Sequence, residues 1–214
     1  MTAVGKRWSN RTMATRSSRL ALILLALPLF ASPALAKQND PNVYLTFRPQ
    51  QSITAVAVNV SEAMMKRPVE IQLKDSRPGN EPAAIGTRTD DEDRKFTLRA
   101  VNEVIPFVKQ VVADTARQWG LHDDEGADLV LDAALQIYQA LETNQAVGAT
   151  FNAQVRLAAE LKDRSGKVLW SGSAPGDATR YGKKFSNENV NEVLSDALLE
   201  AFASLLSEPG LQDA

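Results

Sequence analysis

The residues able to do chemistry in this chain are few, and their spacing does not suit it. One histidine, His122, stands beside Asp123, Asp124 and Glu125. A lone imidazole with adjacent carboxylates lacks the ligand spacing of a zinc site. The same run lacks the alternating acidic ligands and closing glutamate of an EF-hand loop. The chain has no cysteine, which excludes thiol nucleophiles, disulfides and thiolate metal sites. No serine sits in a Gly-x-Ser-x-Gly turn, and one histidine leaves no convincing nucleophile partner for a triad. The glycines at 79, 86, 172, 176 and 182 are too scattered for a phosphate loop.

Other polar groups read as structural. Asp75 and Arg77 are expected to hold their own turn, with ligand binding the alternative. His122 to Glu125 reads as a solvated acidic loop. Trp119 and Trp170 read as anchors between helix and sheet, with stacking on a sugar or peptide the alternative. Tyr181-Gly182-Lys183-Lys184 makes a small basic spot in an exposed loop or the tail of the third strand, with contact to an anionic headgroup or glycan the alternative. The expectation is a chain with no catalytic residues, no metal and no cofactor, so not an enzyme.

The elements that would carry these groups centre on 128–170. Leu129, Leu131, Ala133, Leu135 and Ile137 recur at every second position, as do Phe151, Ala153, Val155, Leu157, Ala159 and Leu161. That period is a strand with one buried face, and a sheet with one wet face favours antiparallel pairing. Asp163-Arg164-Ser165-Gly166 reads as a tight turn, and Val168, Trp170, Gly172 and Ala174 as a third strand. Val69, Ile71 and Leu73 give the first strand, and Phe96 and Leu98 a short one. Val43, Leu45 and Phe47 suggest a short strand or an extended arm. Two amphipathic helices would cover the dry face. The first carries Val101, Ile105, Val108, Val112 and Ala116, with Pro106 implying a kink or a later start. The second carries Val190, Val193, Leu194, Ala197, Leu198, Ala201, Phe202, Leu205 and Leu206, with Glu192, Ser195, Asp196 and Glu200 on its polar side. Ser186 or Asn187 would cap it, and Pro209-Gly210 would end it.

The first residues read as a targeting segment. Lys6, Arg7, Arg11, Arg16 and Arg19 precede the apolar run Leu20–Phe30, and Ala34-Leu35-Ala36 fits a small-x-small cleavage site, so cleavage is expected after Ala36. Met13 is an alternative start, and an uncleaved anchor an alternative fate, although the run is short for a membrane span. The whole chain has 24 basic and 26 acidic residues. Removing 1–36 takes five basic and no acidic ones, leaving 19 against 26, a formal charge of −7. That sign argues against nonspecific nucleic-acid binding and against a broad grip on anionic membranes.

The domain reading is a signal peptide over 1–36, an extended arm over 37–66, one domain over 67–208 and a tail over 209–214. Val69–Leu73 running into Asp75-Ser76-Arg77, then Ala84-Ile85-Gly86, the helix end Ala116-Arg117-Gln118-Trp119-Gly120-Leu121 and the entry Gly126-Ala127-Asp128-Leu129 resemble the YajG-type family of bacterial envelope lipoproteins. The resemblance covers roughly 67–207. That family carries a lipidated cysteine after its signal peptide, whereas Lys37 stands here, so no lipid anchor is implied. The family supplies no catalytic residues.

The fold expected is α+β: an antiparallel sheet of four or five strands with two amphipathic helices packed on one face. The function expected is a soluble, non-catalytic periplasmic accessory protein that binds another envelope component and no nucleic acid. Its candidate partner surface is the polar face of the long hairpin, Asp132, Gln136, Tyr138, Gln154, Arg156 and Glu160, or else a free sheet edge. The alternative is a carrier of a small hydrophobic or lipid ligand between sheet and helices. Ala133, Ala153, Ala159, Ala197 and Ala201 on the core face allow either close packing or space.

Overall fold

Alternating apolar residues build the strands and fix which side of them is dry. The computed structural model describes residues 40–183 and 185–214, so the targeting segment and Met13 lie outside the described residues. Seven strands form one sheet among them: β1 (Asn42–Val43), β2 (Val69–Asp75), β3 (Ala84–Thr89), β4 (Lys95–Ala100), β5 (Leu129–Asn144), β6 (Ala149–Asp163) and β7 (Val168–Gly182). The order is β1-β4-β3-β5-β6-β7, with β2 also paired to β5. The long strand β5 therefore has two neighbours on one side, β2 along Leu129–Leu135 and β3 along Ala140–Glu142.

The α+β class holds, but the sheet is larger than four or five strands and is only partly antiparallel. β2 and β3 both run parallel to β5, and β1 runs parallel to β4. Between β2 and β5 the chain inserts the β3–β4 hairpin and a helix, α2 (Val104–Gln118), and this long connection lets β5 enter in the direction of β2 and β3 rather than turning back beside β2 as a hairpin would. Alternation reports a wet face; it does not report strand direction. The β3 strand was hidden by Gly86, which interrupts its apolar pattern. Gly86 has φ +139°, and a Cβ there would lie 1.8 Å from the Ala140 carbonyl oxygen, so only glycine allows this approach of β3 to β5.

Two helices cover one face. α2 lies over β2, and α3 (Asn187–Leu206) over β6 and β7. They meet where Trp119 stacks on Phe202, ring centroids 5.5 Å apart. α2 starts at Val104, leaving Val101 exposed outside it, and Pro106 falls in the first turn, where its missing N–H has no intrahelical partner to lose. Gly176 on β7 faces α3: a Cβ there would lie 2.0 Å from the Ala197 carbonyl oxygen and 2.4 Å from the Ala201 nitrogen. The small core residues thus bring the helix backbone down onto the sheet.

Fourteen of the twenty residues of α3 are buried, more than a one-faced helix would bury. The second cover is the segment from Asp40. After β1 this segment crosses α3 in extended form, and α3 binds its backbone at every second residue. Asn191 Oδ1 accepts from Thr46 N at 3.1 Å and its Nδ2 donates to Tyr44 O at 2.9 Å. Ser195 Oγ accepts from Arg48 N at 2.9 Å, and Asp196 from Gln50 N at 2.8 Å. A 3-10 turn (Ile53–Ala55) and α1 (Glu62–Lys66) follow, and Ile53 O accepts from Trp119 Nε1 at 3.0 Å. The chain ends in α4 (Pro209–Gln212), so Pro209-Gly210 starts a new turn after α3 has stopped at Leu206.

Candidate interaction surface

Strand β5 changes which side it shows. It pairs residue for residue with β6 from Leu129↔Asp163 to Leu135↔Leu157, then resumes at Ile137↔Arg156, leaving Gln136 as the extra residue of a bulge. One extra residue in a period of two exchanges the faces. Leu129, Leu131, Ala133 and Leu135 are buried before the bulge, and Tyr138, Ala140 and Glu142 after it. Tyr138 therefore leaves the expected partner surface: it is 3 % exposed, and burial raises its phenol well above the usual range. Gln139 and Leu141 take the outward positions instead.

The other five expected residues do stand on the helix-free side. Asp132 and Glu160 are directly opposed across β5 and β6. Lys162 reaches both, at 2.7 and 2.9 Å, and Lys74 reaches Asp132 at 3.2 Å. The hydrogen bond from Lys162, then that from Lys74, holds the Asp132 carboxyl below the usual carboxylate range, and the same cluster pushes Lys162 up to about 12. This end of the face neutralises itself. Gln154 and Arg156 are exposed nearer the middle, and Gln154 Oε1 accepts from Gln139 Nε2 at 3.1 Å. Gln136 sits at the bulge. Register places Asn152 beside Thr179 and Thr150 beside Tyr181, so the face continues as hydroxyls and amides to Tyr181, which is 58 % exposed. Leu141 was missed because strict alternation from Leu129 sends it inward, and Asn152, Thr179 and Tyr181 join this face through the pairing of β6 with β7. The warning was that the same phase also buries Gln139 and Thr143.

The free edge, the other expected docking route, is β7. No described strand pairs with its far side. Its middle is blocked, however. Glu200 Oε2 accepts from Asp177 N at 3.0 Å, and Pro175, in the same outward phase two residues earlier, has no N–H to offer.

Asp75 and Arg77 form a bidentate pair, Nε to Oδ1 at 2.9 Å and Nη2 to Oδ2 at 2.7 Å. Arg77 also donates to Pro82 O at 2.7 Å and Ala84 O at 3.1 Å, which ties the end of β2 to the start of β3. The Arg77 hydrogen bonds hold the Asp75 carboxyl below its usual range. His122 and Asp123 serve the edge of β2: His122 O accepts from Val69 N at 2.8 Å and Asp123 Oδ1 from Ile71 N at 3.0 Å. The predicted basic spot straddles the end of β7 and includes Lys184, which lies outside the described residues.

No protein-family model matches the chain, and no curated protein does. Solved structures do. Protein XCC0632 from Xanthomonas campestris, of family model DUF330, superposes with a TM-score of 0.50 at 13% identity, covering 74% of this chain and 94% of that one. A PelC dodecamer from Paraburkholderia phytofirmans gives 0.32 at 17% identity, over 68% of this chain and 95% of that one. Lipoprotein GNA1162 from Neisseria meningitidis gives 0.21 at 17% identity, over 57% and 90%. The first likeness shows a shared fold; the other two, at those scores, add nothing to it. No helix among the described residues is long and apolar enough to cross a membrane.

Proposed function

We propose that the chain is a non-catalytic accessory protein of the bacterial cell envelope, exported by its N-terminal segment, which binds another envelope protein through the helix-free face of its sheet. The observation that carries this reading is the asymmetry of the sheet. α3 covers one side of β5, β6 and β7 and α2 covers β2, while Gln154 and Arg156 stand exposed near the middle of the other side. An uncovered sheet face is an obvious place for a partner. The resemblance of the Asp75-Ser76-Arg77 and Gly126-Ala127-Asp128-Leu129 stretches to YajG-type envelope lipoproteins belongs to this reading, and the fold shared with XCC0632 supports it at the level of architecture. Carriage of a lipid between sheet and helices is the second reading. The close seating of α3 at Gly176 weighs against it, because the alanines there are used for contact.

The test is photo-crosslinking in cells from Gln154 and Arg156, with exposed Lys109 on α2 as control. One dominant protein adduct from both sheet positions and none from Lys109 is the expected result. Absence of any adduct, with a lipid bound to the purified chain in native mass spectrometry, would replace this reading by the carrier.

A further inference from the structure

The helix-free face also carries a groove, bordering the proposed partner surface at Gln136 and Gln139. β2 leaves β5 after Asp75↔Leu135, and β3 joins it only at Gly86↔Ala140. No described strand therefore flanks Gln136–Gln139 on that side. The bulge bends β5 at this point, and the loop 78–82 stands beside the split. The resulting groove holds about 810 Å³, within the range of small-molecule sites, roughly 300–1,000 Å³.

Its charges are already matched. Arg77 is taken up by Asp75 and two carbonyls, and Glu81 pairs with Arg99 at 3.0 Å. An anion would have to pull Arg77 from a bidentate partner, and a cation would have to pull Asp75 away; both lose a charge-assisted pair. What the groove offers instead is neutral. Thr87 and Thr97 are opposed across β3 and β4, and both line it with Gln136 and Gln139. A hydroxyl or a carboxamide can both donate and accept. Pro78 and Ile137 add apolar wall. A purely apolar ligand would strip water from these four side chains and return no hydrogen bond.

We infer that this groove binds a short neutral saccharide, whose hydroxyls meet Thr87, Thr97, Gln136 and Gln139 and whose C–H faces lie on the proline and isoleucine. A sugar ring alternates these two surfaces, and no ionic group is needed to hold it.

The full chain, labelled with nitrogen-15, is titrated with two uncharged probes, tri-N-acetylchitotriose and maltotriose. The expected result is saturable amide shifts at Thr87, Thr97 and Gln136 with at least one probe. Thr97→Arg, which fills the groove, and Gln136→Ala, which removes one amide, should each weaken binding, the first by roughly tenfold or more. A melting curve establishes that each variant is folded, and if Thr97→Arg is not, Gln136→Ala decides. No shifts with either trisaccharide overturns the inference. So does binding that Gln136→Ala leaves unchanged, or tighter binding of an uncharged tripeptide at the same residues. A crosslinked partner at Gln154 and Arg156 is a separate result, and either site can stand without the other.

Discussion

The Glu142 carboxylate lies 3.2 Å from the Arg88 guanidinium, and none of its side chain reaches solvent. It is inward only because the bulge at Gln136 reverses the faces of β5. Its Oε1 accepts from Phe185 N at 2.8 Å, just before α3 begins, and Arg88 lies over the Phe185 ring at 4.8 Å. One carboxylate thus joins β3, β5 and the entry to α3.

Burial raises the Glu142 carboxyl above its ordinary value, outweighing the pull of Arg88 and of the Phe185 amide. The folded state then keeps a proton that the unfolded chain has released. This contribution to stability is present below the unfolded pKa and is lost as pH rises through the folded one. Urea midpoints measured from about pH 4 to pH 8 should therefore fall more steeply for the parent than for Glu142→Gln, which keeps an acceptor for Phe185 N and does not titrate. Parallel profiles would show that the carboxyl is not raised. Glu142→Ala should cost roughly 1–3 kcal/mol by leaving Phe185 N and Arg88 without this partner.

Deleting Gln136 should be far worse than replacing it. The deletion restores one-to-one pairing and turns Tyr138, Ala140 and Glu142 toward solvent, with Gln139 and Thr143 inward. Exposing Tyr138 alone removes about 2 kcal/mol of burial. Gln136→Ala keeps the bulge and should stay within about 0.5 kcal/mol of the parent. Chemical denaturation of the two variants separates register from side-chain identity.

The β7 edge should stay monomeric because Pro175 and Glu200 occupy its middle. The double variant Pro175→Val, Glu200→Ala opens outward N–H groups at 175 and 177 and is expected to self-associate with rising concentration in sedimentation, while each single variant associates less. A monomeric double variant would place the protection elsewhere.

Asn191→Ala should release the extended segment from α3. Thr46 N and Tyr44 O lose their partners together, at roughly 1–3 kcal/mol. Hydrogen exchange should quicken at Thr46 and Arg48 and stay unchanged at Val155, in the centre of the sheet. Unchanged exchange at Thr46 would mean that Val43 and Leu45, buried at 0% and 2%, hold the segment without the asparagine.

Periodicity alone determined the long strands and the two long helices. The apolar positions of β5 before Gln136, of β6, of α2 and of α3 were all readable, because burial repeats every second or every fourth residue whatever the partner. The same reading recognised Asp75 and Arg77 as a self-held turn, since side chains two apart meet without tertiary help. It could not see what depends on distant segments. Parallel pairing of β2 and β3 with β5 follows from which distant segments meet, since the β3–β4 hairpin and α2 separate them along the chain. The exchange of Tyr138 for Gln139 on the open face follows from a one-residue mismatch between β5 and β6, which neither strand records by itself. Ser195 and Asp196, read as the polar side of the second helix, are chemically fit for water, and only the fold brings the extended backbone of 44–50 to them and to Asn191. The groove at the split in the sheet likewise exists because β2 and β3, apart in sequence, share one side of β5.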